Sequence, residues 1–237
     1  MIGDVLKVKS VIEQNLEDIQ QSIAEFELKF HRKPKSVRLL AASKHQSVEK
    51  MNQAIAAGQH CFGENYLQEA LEKMALLPDP TLEWHFIGSL QSNKTKKIAE
   101  HFSWVHSVDN KKHALRLNMH RPLHLPPLNI CIEVNISHEK SKAGTSFEEV
   151  LELADFCESL PRLKLRGLMT IPAPADDVAL QRKPFHALAM LFSQLQKTHQ
   201  NIDTLSMGMS EDYEAAIAEG TTLLRIGTAI FGERITP

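Results

Sequence analysis

The sequence is short of cysteine, of aromatic residues and of any excess charge. Three cysteines occur, Cys61, Cys131 and Cys157, with no CxxC spacing. That argues against a disulfide framework and against a zinc site. Lysine and arginine number 27 against 29 aspartates and glutamates, for a formal net charge of −2. Such a balance gives no basic footprint for nucleic acid and no acidic tail. No apolar stretch approaches ~20 residues, so no membrane span is expected. The start, Met1-Ile2-Gly3-Asp4, lacks the charged and apolar regions of a signal peptide. A cytoplasmic protein is the economical expectation. The twelve histidines are scattered and GxGxxG is missing after the first apolar run, so neither a metal centre nor a dinucleotide site is expected.

What is present is periodicity. Val5, Val8, Ile12, Leu16, Ile19, Ile23 and Phe26 step by three or four, which predicts an amphipathic helix docked on the remainder of the chain. A regular alternation then sets in. Apolar runs of strand length are expected at 37–43, 60–64, 84–88, 104–108, 128–135, 163–170, 204–207 and 223–226. Between them helices are expected at 48–57, 67–77, 94–101, 112–119, 147–159, 185–199 and 213–218, with Ser137–Gly144 a loop. Alternating βα units imply a parallel sheet, and eight of them in about 200 residues fit a small closed (β/α)8 barrel. An open doubly wound sheet is the alternative, and the missing GxGxxG counts against it. No linker or composition shift divides the chain, so residues 1–237 are expected to form one domain, with 1–30 as a helix packed on the barrel.

In a barrel the chemistry gathers where strands end. The first strand ends at Lys44. A lone lysine there is usually a solvated loop residue, but a partly desolvated amine is a better nucleophile. The last two strands end in Ser206-Met207-Gly208-Met209-Ser210 and Arg225-Ile226-Gly227-Thr228. Barrels often bind phosphate at these loops. Glycine permits close backbone approach, a helix start favours an anion, and Ser210 and Thr228 add hydroxyl donors. A phosphate cup opposite a lysine suggests pyridoxal 5′-phosphate, held as a Schiff base on Lys44. Arg225 could reach the pyridine nitrogen. As a donor-only group it would hold that nitrogen unprotonated and weaken the ring as an electron sink.

Eight segments carry a resemblance: FGENYLQE (62–69), WHFIGSLQSNK (84–94), HSVD (106–109), VNIS (134–137), SKAG (141–144), RGLMTIP (166–172), SMGMSEDYEAAI (206–217) and RIGTAIFG (225–232). Together they are specific. The chain resembles the YggS/PROSC family of pyridoxal phosphate homeostasis proteins, relatives of the barrel domain of alanine racemase. The resemblance covers residue 37 to the C-terminus. It implies a (β/α)8 barrel of pyridoxal phosphate fold type III with an extra N-terminal helix and the cofactor on Lys44. It also implies phosphate contacts from Ser210, Gly227 and Thr228, ring-nitrogen contact from Arg225, and Asn65 near the ring. One departure is local: His45-Gln46-Ser47 follows the lysine where many relatives carry Thr and a nearby Pro.

Two functions from different classes are open. One is a non-catalytic carrier that stores, buffers or delivers pyridoxal phosphate, with apo-enzymes that use this cofactor as recipients; this is what the resemblance implies. The other is a small amino-acid racemase. Racemisation needs acid–base groups on both faces of the substrate. In alanine racemase the group opposite the lysine is a tyrosine from a second domain of the partner subunit. Here the chain stops at Pro237, and the tyrosines are Tyr66 and Tyr213, both at expected helix starts. The carrier is therefore favoured, as a monomer with no catalytic residue assigned.

Overall fold

A computed structural model describes residues 9–136 and 143–233. Val5, Val8 and much of the loop Ser137–Gly144, with the ends of the VNIS and SKAG segments, lie outside the described residues. The chain opens with helix α1 (Val11–Lys29). Eight βα units come next: β1 (Arg38–Ala42), α2 (Val48–Ala56), β2 (Cys61–Glu64), α3 (Leu67–Leu76), β3 (Glu83–Phe86), α4 (Thr95–His101), β4 (Trp104–Val108), α5 (Lys111–His120), β5 (Leu128–Glu133), α6 (Val150–Glu158), β6 (Leu163–Met169), α7 (Val178–Leu195), β7 (Thr204–Ser206), α8 (Tyr213–Ala218), β8 (Leu223–Ile226) and the short α9 (Thr228–Phe231).

The strands pair in sequence order, all parallel, and β8 closes on β1, with Leu40 opposite Arg225. This is the closed barrel that the alternation implied. Side chains alternate along each strand. Ala41, Phe62, Phe86, Val105, Ile130, Leu168, Leu205 and Leu224 join the large apolar core beneath the helices. Leu40, Ala42, Ile87 and Leu223 form a separate cluster, and Trp104, Cys131 and Met169 another; these fill the barrel lumen. The lumen also takes His85, His106, Ser206 and Arg225, all buried.

Local chemistry sets the element ends. Ser10, Ser47, Asn110 and Asp177 each accept a backbone N–H at a helix start, relieving donors that the helix cannot satisfy itself. α1 buries Ile12, Leu16, Ile19 and Ile23. It is tied to the last unit by Asn15 Nδ2 donating to Ile230 O at 2.9 Å, and by Arg32, which donates to the carbonyls of Ile217 and Thr221. The docked helix thus braces the segment that comes after β8.

Most boundaries fall within one to three residues of the expected ones. α7 is the exception: it begins at Val178 rather than Phe185 and ends at Leu195. The sequence places Pro184 before that helix, yet the proline lies inside it. Asp177 caps the true start by accepting from Leu180 N at 3.0 Å. The proline forgoes one backbone bond, and Phe185, Leu188, Leu191, Phe192 and Leu195 bury the face that holds the helix down. Among the described residues no helix is long and apolar enough to cross a membrane. The cysteines are unpaired.

Candidate functional site

A cavity of about 460 Å³ opens at the carboxyl ends of the strands, within the size range of small-molecule sites. Lys44, Asn65, Ser210, Arg225, Gly227 and Thr228 all line it. Residues separated by up to 184 positions in sequence therefore converge on one space, as expected of strand ends in a barrel. Ala42, Ile87, Pro172 and Pro174 supply apolar walls.

Lys44 is half-buried, and both of its neighbours are held. Ser43 N donates to Gly63 O, and Gln46 N donates to Ser43 O. Ser43 Oγ donates to Glu64 Oε1 at 2.6 Å. Lys73 Nζ, buried on α3, reaches Ser43 O at 2.6 Å, Glu64 Oε1 at 2.8 Å and Glu69 Oε1 at 2.6 Å. Glu69 Oε1 also accepts from His45 N at 2.6 Å. His45 has φ +61°, a left-handed conformation uncommon for a residue with a Cβ. The Glu69 bond holds that turn, which is the form His45-Gln46-Ser47 takes after the lysine. Burial pushes the Glu64 carboxyl up, and Lys73 and Ser43 pull it back only in part.

Arg225 lies on the cavity floor. Its Nη1 donates to Ser206 Oγ at 2.7 Å and its Nη2 to Thr170 O at 2.9 Å. Burial lowers the guanidinium to about 10, with Asp212 and Glu133 opposing. It stays protonated at neutral pH. Glu133, on β5, is pushed up to about 7 by burial and by Asp109, against the pull of Arg225.

The loops after β7 and β8 meet at Ser210, whose Oγ accepts from Ala229 N at 3.3 Å. Asp212 Oδ1 accepts from Met209 N at 2.6 Å and shapes the loop. Gly208 has φ +98°, and a Cβ there would lie 2.6 Å from both Ala216 Cβ and Leu224 Cδ2, so only glycine fits. Gly227 lines the cavity and also has a packing role. A Cβ on it would lie 3.0 Å from Ala42 O. Its small size lets β8 lie against the strand that ends at Lys44. Gly88 acts similarly on Asn65, since its Cβ would fall 2.2 Å from Asn65 O.

The six residues singled out in the sequence all line the cavity, whereas the roles of Glu64, Lys73, His85, His106 and Ser206 in holding them were not assigned. Four of these stand inside the eight family-like segments, and their signal was a polar side chain within a run of strand residues. A candidate metal grouping was also missed. Cys61, Glu83 and His85 place ligand atoms within 4.8 Å of one another, but Arg38 Nη2 contacts Glu83 Oε1 at 2.6 Å and Cys61 Sγ at 3.2 Å. His120 and His124 stand four apart, but α5 ends at His120 and Pro122 intervenes.

The site thus sits on a closed parallel βα barrel, with a lysine after β1, an arginine in β8 and hydroxyl-bearing loops after β7 and β8. The family described as "Alanine racemase, N-terminal domain" matches residues 12–235. Alanine racemase of Corynebacterium glutamicum shares the fold, with a TM-score of 0.71 at 15% identity; the match covers 94% of this chain and 60% of that one. More particularly, the chain belongs to the family of pyridoxal phosphate homeostasis proteins. It is 52% identical to the protein of that name from Pasteurella multocida, over 94% of this chain and 97% of the relative. It is 48% identical to the one from Escherichia coli, over 94% and 97%. PipY of Synechococcus elongatus, solved with PLP bound, superposes with a TM-score of 0.82 at 35% identity, covering 93% of this chain and 100% of that one.

The geometry makes two outcomes testable. Lys73→Met leaves Glu64 buried without its cation, so urea unfolding should show a loss of ~3 kcal/mol; an unchanged midpoint would remove Lys73 as the clamp on Ser43. For Glu133, the folded chain binds the proton more tightly than the unfolded chain, whose carboxyl titrates near 4.5. Its ionisation therefore becomes a cost as pH rises from 4.5 through about 7. Glu133→Gln should be nearly neutral at pH 4 and stabilising by of order 3 kcal/mol at pH 8, read by denaturant unfolding at both pH values.

Proposed function

We propose that this chain binds pyridoxal 5′-phosphate in the strand-end cavity and serves cofactor homeostasis by storing, buffering or delivering it, without turning over amino acids. The observation that carries this reading is the convergence of Lys44, Asn65, Arg225 and the Ser210–Thr228 loops on one cavity. The residues also pass a test of fit. Asn65 Oδ1 is buried with no hydrogen-bond partner among the described residues, an acceptor that a ligand donor would satisfy. Apolar walls suit an aromatic ring, and the hydroxyls of Ser210 and Thr228 suit a phosphate.

When bound, the cofactor supplies an aldehyde that condenses with a primary amine. Lys44 would hold it covalently through Nζ. Arg225, still protonated, presents only N–H groups, so it would keep a ring nitrogen as an acceptor and withhold a proton from that atom. Ser210, Gly227 and Thr228 would seat the phosphate.

The absence of turnover is supported by where the tyrosines stand. Tyr213 packs edge-on against Phe26 of α1 at 5.7 Å between ring centroids, on the outside of the barrel. Tyr66 is exposed and lies against His45 at 4.8 Å. Neither lines the cavity, so neither is set opposite Lys44. The proposal further takes the chain as one domain and a monomer in the cytoplasm, a reducing setting that suits unpaired cysteines. Apo-enzymes that need this cofactor are the proposed recipients.

Lys44→Ala should abolish the borohydride-reducible link to the cofactor while leaving some non-covalent binding. Full covalent labelling of that variant would move the link to another residue. Incubated with single-enantiomer alanine in deuterated water, the loaded protein should show no stereochemical inversion by chiral chromatography. Inversion with kcat near the ~1–10³ s⁻¹ of ordinary enzymes, lost in Lys44→Ala, would overturn the carrier reading in favour of a racemase.

A further inference from the structure

The barrel lumen holds a line of polar side chains behind Arg225. Arg225 Nη1 donates to Ser206 Oγ at 2.7 Å. Ser206 Oγ lies 2.9 Å from His106 Nδ1, His106 Nε2 lies 2.9 Å from His85 Nδ1, and His85 Nε2 lies 2.8 Å from Glu83 Oε1. These residues come from β8, β7, β4 and β3. Because β4 and β7 are not neighbours in the sheet, the Ser206–His106 contact spans the lumen. Ser206, His106 and His85 are fully buried. The line ends at Glu83, partly exposed at the opposite mouth, where Arg38 also meets it.

With both rings neutral, the two ends fix every proton between them. A guanidinium only donates, so Ser206 Oγ accepts from Arg225. An ionised carboxylate only accepts, so His85 Nε2 carries a hydrogen and His85 Nδ1 carries a lone pair. His106 Nε2 must then donate, which leaves His106 Nδ1 as an acceptor. The Ser206 hydroxyl hydrogen has that nitrogen as its acceptor. Each donor meets one acceptor, and all bonds run one way, from guanidinium to carboxylate. Reversing the line requires a cationic His85 or a protonated Glu83. Burial disfavours the cation on both rings, and His85 and Arg38 hold Glu83 well below the usual carboxylate range. Trp104 fixes the His85 ring by parallel stacking at 5.2 Å between centroids.

We propose that Ser206, His106 and His85 are positioning residues whose one-way hydrogen-bond line to Glu83 locks Arg225 as the donor that meets the ring nitrogen of pyridoxal phosphate. The proposal rests on the strand-end cavity being the cofactor site. A serine whose hydrogen is committed to His106 offers Arg225 only lone pairs. Without His106 that hydroxyl hydrogen loses its acceptor, and Ser206 no longer presents its lone pairs to Arg225 in one fixed orientation.

The test has two arms on the full chain. Imidazole ¹⁵N–¹H correlation spectra near pH 7.5 should show both His85 and His106 as neutral Nε2–H tautomers, with and without cofactor. An Nδ1–H tautomer or a cation at either ring would overturn the line. In the second arm, pyridoxal 5′-phosphate is titrated into His106→Leu and His106→Asn. Asparagine keeps an acceptor near the position of Nδ1, so its dissociation constant should stay within about twofold, whereas the leucine variant should weaken by about tenfold and shift the visible absorption band of the bound cofactor. A folded His106→Leu protein with unchanged affinity and band, whatever its melting temperature, would overturn the positioning role. Failure of the unaltered chain to bind would overturn the cavity reading itself, and the assignment to Arg225 with it.

Discussion

Arg225 puts a full positive charge almost wholly out of water at the floor of the open end of the barrel. An ion in that position with poor partners would cost several kcal/mol. Burial lowers the group only to about 10, which leaves the charge in place at pH 7. The fold must therefore accommodate a permanent cation. It does so with Ser206 Oγ and Thr170 O at hydrogen-bond distance and with the carboxylates of Asp212 and Glu133 in electrostatic reach. Barrel interiors are usually filled by layers of branched apolar side chains. Here one path through the lumen is given to histidine and serine, while Leu40, Leu223, Trp104, Cys131 and Met169 keep the rest apolar.

The two basic side chains of the cavity are secured from opposite sides of the sheet. Arg225 is held from inside the lumen. Lys44 is held from outside it, because Glu64 meets Lys73 of the surrounding helix α3. That ion pair is nearly inaccessible to solvent on both partners and bonds Ser43 directly, while Glu69, a second partner of Lys73, accepts from His45 N, so both residues flanking Lys44 are held through their own atoms. The backbone at the end of β1 can thus be set before any ligand arrives. Preset geometry of this kind reduces the ordering that binding would otherwise require.

The barrel was legible in the sequence because parallel strands buried on both faces read as continuous apolar runs, and glycines and prolines punctuated them. β4, α8 and β8 fall at their expected bounds for that reason. The same property concealed the lumen. Where both faces are buried, nothing local tells which side of a strand a residue occupies, so His85 and His106 could not be separated from ordinary core histidines. Their partners lie up to 100 residues away, and only barrel closure brings them together. Lys73 was hidden differently: a lysine on an amphipathic helix reads as solvent-facing, and only the helix–sheet contact makes it a buried counter-ion to Glu64. The first turns of α7 carry no buried apolar face before Phe185, so the sequence showed the helix only from there, whereas Asp177 caps its start at Val178.

The same supports bear on the difference between holding a cofactor and using it. Interactions that act equally on a bound ground state and on a transition state raise affinity without raising rate. The Lys73–Glu64 pair sets the backbone of a resting site. With the cofactor placed as proposed, a donor-only arginine in β8 would favour a neutral ring nitrogen, the weaker electron sink, whereas a carboxylate there would favour its protonation. Catalysis on an amino acid would also need a proton donor or acceptor across the cavity from Lys44, and Tyr66 and Tyr213 are both engaged elsewhere by His45 and Phe26. On the proposed reading, the side chains that fix the site are thus arranged for retention.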